Sequence, residues 1–88
     1  MYQISINKRV RKRARRLLPK HFNQVLARIR ALAKDPRPHD ARKLKRLPGY
    51  RITVGEYRVL YTVDDEAKTI TIYFLFHRGE EYPQDFGP

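Results

Sequence analysis

The sequence predicts an α+β domain with an N-terminal strand, a two-helix hairpin and three antiparallel strands, forming one sheet with an open concave face. Three observations lead there. Apolar side chains alternate at Tyr2, Ile4 and Ile6 and again from Tyr50 to Phe76. Between Lys8 and Lys34 they recur at helical spacing. A two-residue turn signal, Gly55-Glu56, separates two β-type runs.

Asn7 follows the first strand as a helix N-cap. From Lys8 to Leu18, Val10, Ala14, Leu17 and Leu18 mark a narrow apolar stripe on a cationic helix. Pro19 lacks the N–H that a helix interior needs and a first turn does not, so it breaks this pattern or opens the next helix. Phe22, Val25, Leu26, Ile29, Leu32 and Ala33 give a second helix, to Lys34, with a wider stripe. Asp35-Pro36-Arg37-Pro38 ends it, and a short linker to Ala41 keeps helices and sheet in one domain, residues 1–88.

The strands are expected at Tyr50 to Val54, Tyr57 to Val63 and Thr69 to Phe76. Gly55 as first central residue suits a type II′ hairpin turn, and Asp64 to Lys68 forms a longer one. Strict alternation points Ile52, Val54, Tyr57, Val59, Tyr61, Ile70, Ile72, Phe74 and Phe76 at the helices. Arg51, Thr53, Arg58, Leu60, Thr62, Tyr73 and Leu75 then take the other face.

The 88 residues carry a net charge of +11, unevenly distributed. Residues 1–50 hold 16 Lys and Arg against Asp35 and Asp40, whereas residues 51–88 hold four against seven Asp and Glu, so the halves are +14 and −3. Such a surface attracts polyanions, either nucleic acid or an acidic protein. A basic architectural protein with no chemistry of its own is the plain alternative. With no cysteine there are no disulfides, thiolate nucleophiles or thiolate zinc sites. No apolar run reaches the roughly 18 residues that span a bilayer, and Met1 to Ile6 is too short and polar for a signal peptide. These features point to the cytoplasm and to no membrane partner. His21, His39, Asp35 and Asp40 have no metal-site spacing, so neither metal nor cofactor is expected.

The chemistry-bearing stretch is Lys43 to Tyr61, KLKRLPGYRITVGEYRVLY, together with His77-Arg78-Gly79-Glu80-Glu81-Tyr82. Arg51 and Arg58 occupy strand positions from which a planar guanidinium can clasp two phosphate oxygens. His77 has the side chain best matched to proton transfer at neutral pH. Tyr82 can donate to a phosphate oxygen or stack on a base. Each has a structural alternative: Arg58 as a solvated side chain or partner of Glu56 or Asp64, Arg51 as a solubilising edge residue, His77 as an exposed strand end, Tyr82 as a tail packed on the sheet. Strict alternation gives His77, not Arg78, the Tyr73 and Leu75 face, so Arg78 reaches the site only where the strand has ended or bulged. Lys8 to Arg16 can grip RNA backbone or form a solvated face.

These segments resemble the RelE/ParE superfamily of bacterial toxins, and within it the RelE branch, most sharply in KL, GYRITVGEYRVLY, and HR followed by Tyr82. The resemblance implies a metal-independent endoribonuclease that cleaves messenger RNA in the ribosomal A site by attack of a 2′-hydroxyl on the adjacent phosphate. It maps basic positions onto Arg51 and Thr53, the transition-state arginine onto Arg58, the strand-exit arginine onto Arg78 and the tyrosine onto Tyr82. Lys43, Lys45, Arg46 and Thr53 are then the residues expected to hold RNA. Well-studied members have lysines at the first two positions, where this chain has Arg51 and Thr53, and neither is a useful base. The implied partners are a cognate acidic antitoxin, ribosomal RNA and messenger RNA. Two rival readings stay open: a ParE-like inhibitor of DNA gyrase, and a catalytically silent basic RNA-binding protein.

Overall fold

A computed structural model describes residues 1–83. Its elements are β1 (Gln3–Ile6), α1 (Lys8–Arg15), α2 (Pro19–Ala31), β2 (Arg42–Lys43), β3 (Tyr50–Val54), β4 (Tyr57–Asp64) and β5 (Thr69–His77). The five strands form one sheet in the order β1-β5-β4-β3-β2. Strands β2 to β5 are antiparallel, but β1 runs parallel to β5, with Ile4 opposite Ile70 and Ile6 opposite Ile72. The sheet is therefore mixed and five-stranded, where alternation had suggested four antiparallel strands. The helical hairpin reverses the chain between β1 and the rest, and this long crossover permits the parallel pairing. Strand β2 is too short to carry any periodic signal.

Both helices cover one face of the sheet. Val10, Val25, Ile29 and Leu32 bury against Ile52, Val54, Val59, Tyr61, Ile70 and Ile72. At about 25 cal/mol per Å² of apolar area, this layer is the main stabilising contribution of the fold. Helix α1 ends at Arg15, short of the expected Leu18, which instead becomes the N-cap of α2 and is 67% exposed. Pro19 opens α2 as its first residue. The Tyr61 hydroxyl, buried beneath the linker, donates to the Pro36 carbonyl at 2.7 Å, and burial pushes its pKa up to about 12.

The face away from the helices is only partly open. Residues 44–49 fold over it, burying Leu60, Tyr73 and Phe76 beneath Leu44 and Leu47. The Tyr73 hydroxyl donates to the Pro48 carbonyl at 2.8 Å and pins this loop. Gly49 closes it at φ +83°, where an added Cβ would lie 1.9 Å from the Tyr61 carbonyl oxygen. No other residue fits there. At the β3–β4 hairpin Gly55 has φ +60°, and Lys68 is the one positive-φ non-glycine among the described residues, so Glu56 has the ordinary φ that a type II′ turn requires.

The departure with most consequence is in β5. Leu60 pairs with Phe74 but Tyr61 pairs with Ile72, which leaves Tyr73 as one extra residue. A bulge of one residue reverses the face of everything after it. Leu75 consequently joins the helix-side core, whereas Phe74 and Phe76 lie on the opposite face with Leu60 and Tyr73. This corrects the strict alternation at all three positions. Asn7 secures the bulge: its backbone N–H donates to the Ile72 carbonyl, its side-chain Nδ2 donates to the Tyr73 carbonyl at 3.1 Å, and its Oδ1 accepts from the Val10 N–H at 3.0 Å as the α1 cap.

Asn7→Ala removes both the cap and the bond to Tyr73, worth about 1 kcal/mol each. The thermal midpoint is expected to fall by roughly 10 °C. Asn7→Asp keeps the cap acceptor but cannot donate to Tyr73, so it should fall by less. An unchanged midpoint in Asn7→Ala, measured by circular dichroism, would mean that other contacts hold the bulge.

Candidate nucleic-acid site

The β3–β4 ladder sets Arg51 opposite Leu60 and Thr53 opposite Arg58, and Arg58 in turn faces Phe76 on β5. Directly paired residues share a face, so Arg51, Thr53, Arg58 and Phe76 all belong to the side away from the helices. Arg51 and Arg58 are diagonal neighbours there. The bulge makes Phe76 the floor between them and the chain end: the Tyr82 ring lies 4.8 Å from the Phe76 ring, and its hydroxyl accepts from Arg51 Nη1 at 2.8 Å. Arg51 Nε is buried and has no hydrogen-bond partner among the described residues. A buried donor left unpaired is costly, and an incoming anion is one way to satisfy it.

Arg58 is half-buried and directs its guanidinium at the Gly55 and Tyr57 carbonyls, at 3.3 and 3.2 Å, and not at Glu56 or Asp64. Both are long, poorly charged contacts that a phosphate would outcompete. Arg78 extends the β4–β5 ladder through its N–H to the Glu56 carbonyl, and its side chain pairs with the Glu56 carboxylate at 3.4 Å. That pair is 62% and 51% exposed and therefore weak. Lys45 and Arg46 line a groove with Leu44, Leu47 and Tyr82, beside the Arg51 contact. Thr53 is half-buried next to Arg58.

Two expected site residues lie elsewhere. Lys43 pairs with Tyr50, and its Nζ sits 5.3 Å from that ring, on the side where Tyr50 stacks with Tyr61. His77, the residue opposite Tyr57, is turned to the helix side by the bulge: its ring meets Tyr57 edge-on at 5.4 Å, and Tyr57 in turn meets His21 at 5.5 Å. Its Nδ1 accepts from the Gly79 N–H at 3.3 Å. The Tyr73 and Leu75 face predicted for His77 does not exist as one face, because those two side chains point to opposite sides. Sequence reasoning also missed Arg42, which the β2–β3 pairing sets opposite Arg51. A two-residue strand leaves no pattern by which to find it.

Glu80 ties the site's outer turn to α1. Its carboxylate accepts from Arg13 Nη2 at 2.8 Å and from the His77 N–H at 2.7 Å, and these two bonds, Arg13 first, hold its pKa below the usual range. Asp65 is likewise lowered, by Arg37 first and then the Tyr2 hydroxyl. Among the described residues no group of three or more His, Cys, Asp or Glu side chains could hold a metal ion, and no helix is long and apolar enough to cross a membrane.

This fold, with a helical hairpin on one sheet face and the arginines of the β3–β4 hairpin on the other, defines the class. Residues 4–82 match the family described as ParE toxin of the type II toxin–antitoxin system, parDE, and the chain belongs to that family, within the RelE/ParE superfamily. Several proteins similar to it carry RelE names. It is 31% identical over 85 residues to a Methanocaldococcus jannaschii protein bearing the toxin name RelE1, covering 92% of this chain and 94% of that protein. A chain of the archaeal RelE–RelB complex from Pyrococcus horikoshii superposes with a TM-score of 0.79 at 33% identity, over 91% of this chain and 98% of that one. The Mycobacterium tuberculosis RelBE2 complex gives 0.77 at 26%, over 88% and 98%.

Because the folded-state pKa of Glu80 is depressed, its stabilising bonds are fully present above the unfolded value near ~4.3 and are lost as pH falls through the lower folded value. The 77–80 turn should therefore loosen only at acid pH. Arg13→Ala is expected to raise the Glu80 titration toward the ordinary range, the His77 N–H bond remaining, as followed by carboxyl NMR. A titration unmoved by that substitution would contradict the assignment.

Proposed function

We propose that this chain is the toxin of a type II toxin–antitoxin pair and that it inhibits translation by cleaving messenger RNA in the ribosomal A site, through attack of a ribose 2′-hydroxyl on the adjacent phosphate. The observation that carries this reading is that Arg51, Arg58 and Tyr82 share one face, with a buried Arg51 Nε that meets no acceptor among the described residues. Attack by the 2′-hydroxyl needs positive charge on the pentavalent phosphorane, removal of one proton and delivery of another to the 5′ oxygen. Arg58, the second residue of β4, can turn from its carbonyl contacts to the phosphorane, so its charge is realised where negative charge develops. Arg51 positions the phosphodiester, and Lys45, Arg46 and Thr53 hold the flanking backbone. Arg78 joins once its exposed pair with Glu56 opens. His77 lies on the helix side, so delivery of a proton to the 5′ oxygen is assigned to the Tyr82 hydroxyl, which already meets the Arg51 guanidinium, and the 2′-hydroxyl proton passes to solvent water. Neither Arg51 nor Thr53 supplies a base.

The P. horikoshii and M. tuberculosis neighbours were crystallised as toxin–antitoxin complexes. A cognate antitoxin is accordingly proposed here, acidic to match the +11 charge. Ile6, Val10, Phe22 and Leu26 line an apolar groove between the helices, rimmed by Arg11 and Arg15, that suits an amphipathic acidic segment. The rival reading, a gyrase inhibitor, is favoured by the ParE name of the matched family. A pure gyrase binder has no need of a shared Arg51 and Arg58 face.

In a purified translation system, Arg58→Ala should lower messenger cleavage about 100-fold or more while leaving the circular dichroism spectrum intact. Tyr82→Phe should lower it about tenfold or more. Wild-type cleavage in Arg58→Ala, or inhibition of supercoiling with ribosome-bound messages left whole, would overturn the nuclease reading. A co-expressed acidic antitoxin is expected to stabilise the chain by about 4 kcal/mol at a thousandfold excess over its Kd. Equal melting temperatures with and without it would exclude a tight pair.

A further inference from the structure

The outer side of α1 is under an electrostatic penalty that the fold scarcely relieves. Six of its eight residues are cations, and its first turn holds no acid. Lys8 and Lys12, Arg9 and Arg13, and Lys12 and Arg16 stand four apart, the spacing at which like charges repel across one turn. Cations in a first turn also oppose the helix dipole, whose N-terminal end favours anions. Among the ion pairs of the described residues, the Glu80 bond to Arg13 alone reaches this helix.

These side chains form one wall of a groove: Lys8, Arg9, Lys12, Arg13 and Arg16 face Phe74 on β5. Phe74 is half-buried, with the Arg9 guanidinium 5.8 Å from its ring centre. It is on this side because of the bulge at Tyr73. From it a row of rings leads to the arginine site, at 5.6 Å from Phe74 to Phe76 and 4.8 Å from Phe76 to Tyr82, whose hydroxyl meets Arg51.

We infer that the groove between α1 and β5 holds single-stranded RNA, with an unpaired base stacked against Phe74 and the Arg9 guanidinium and phosphates on Lys8, Lys12 and Arg16. The substrate strand passing Arg51 and the exposed Tyr82 continues over the surface to Phe74 and α1, with the buried Phe76 ring linking the two beneath it. Flexible strands with exposed bases suit a cationic track beside an aromatic platform. An acidic polypeptide would satisfy the charges but has no use for that platform, and a duplex hides its bases. This inference deepens the nuclease reading by giving the substrate strand a path, but it is tested by binding alone.

The probe is a fluorescein-labelled RNA of about eight nucleotides, single-stranded or as a blunt duplex. It is titrated with the full chain by anisotropy from ~50 to ~200 mM salt. The single strand should bind about tenfold more tightly than the duplex, although the duplex carries more phosphate. Phe74→Leu should weaken it about tenfold with no change in the salt slope, whereas Lys8→Gln and Lys12→Gln should each flatten the slope by about 0.7. Duplex binding as tight as single-strand binding overturns the inference. So does wild-type affinity in a folded Phe74→Leu, or an acidic peptide that occupies the groove while that variant keeps its RNA affinity. Should Phe74→Leu not fold, intermolecular NOEs from base protons to the Phe74 ring in the unaltered chain decide the matter, and NOEs confined to other residues overturn it. Arg58→Ala is expected to retain groove binding. An inert Arg58→Ala that still binds supports the groove whatever becomes of the nuclease reading, and a cleaving wild-type chain with an RNA-free groove refutes it.

Discussion

Asn7 joins the three parts of the molecule whose relative placement decides everything on the sheet's far face. Through one side chain and one N–H it starts α1, ends β1 and holds the β5 backbone at Ile72 and Tyr73. The extra residue there would otherwise leave carbonyls unpaired at a half-buried strand edge, a penalty of about 1–3 kcal/mol per group. With it satisfied, β5 can change face in mid-strand: Leu75 completes the helix-side core, and Phe76 becomes the platform on which Tyr82 rests. A straight β5 would bury Phe76 under the helices and leave Tyr82 without a floor.

Charge follows the same division. The four ion pairs among the described residues are all exposed, and each of the carboxylates involved, Asp40, Glu56, Asp65 and Glu80, is matched by one arginine. Pairs of this kind contribute little to stability. They do orient segments: Arg37 and Tyr2 hold Asp65 at the β4–β5 turn, and Arg13 holds the 77–80 turn against α1. Most of the remaining cations have no internal counter-charge to meet, so the +11 is directed outward, as a field that attracts polyanions.

Much of this was legible in the residues. Alternation located β1, β3 and β4 and the first half of β5, helical periodicity located α1 and α2, and Gly55 marked the hairpin. Arg51 and Arg58 could be assigned to a common face because β3 and β4 pair through a two-residue turn with no bulge between them. The errors share one cause. Leu18, Lys43, Phe74, Leu75, Phe76 and His77 all took positions governed by contacts distant in sequence. Periodicity carries no information about a residue inserted into a ladder or about a helix that stops to admit another.

The sequence by itself determined which segments are helical and which extended, where the hairpin turns, and that the N-terminal half is cationic. Those are consequences of local sterics, two- and 3.6-residue periods and formal charge, all properties of neighbours along the chain. Tertiary structure alone decided that β1 lies parallel to β5, that Arg42 stands across from Arg51, that residues 44–49 roof half of the open face, and that Tyr82 rather than His77 meets Arg51. Each of these depends on pairing between residues far apart in sequence. Such pairing is selected by the summed burial and hydrogen bonding of the whole fold, and no window of the chain contains that sum.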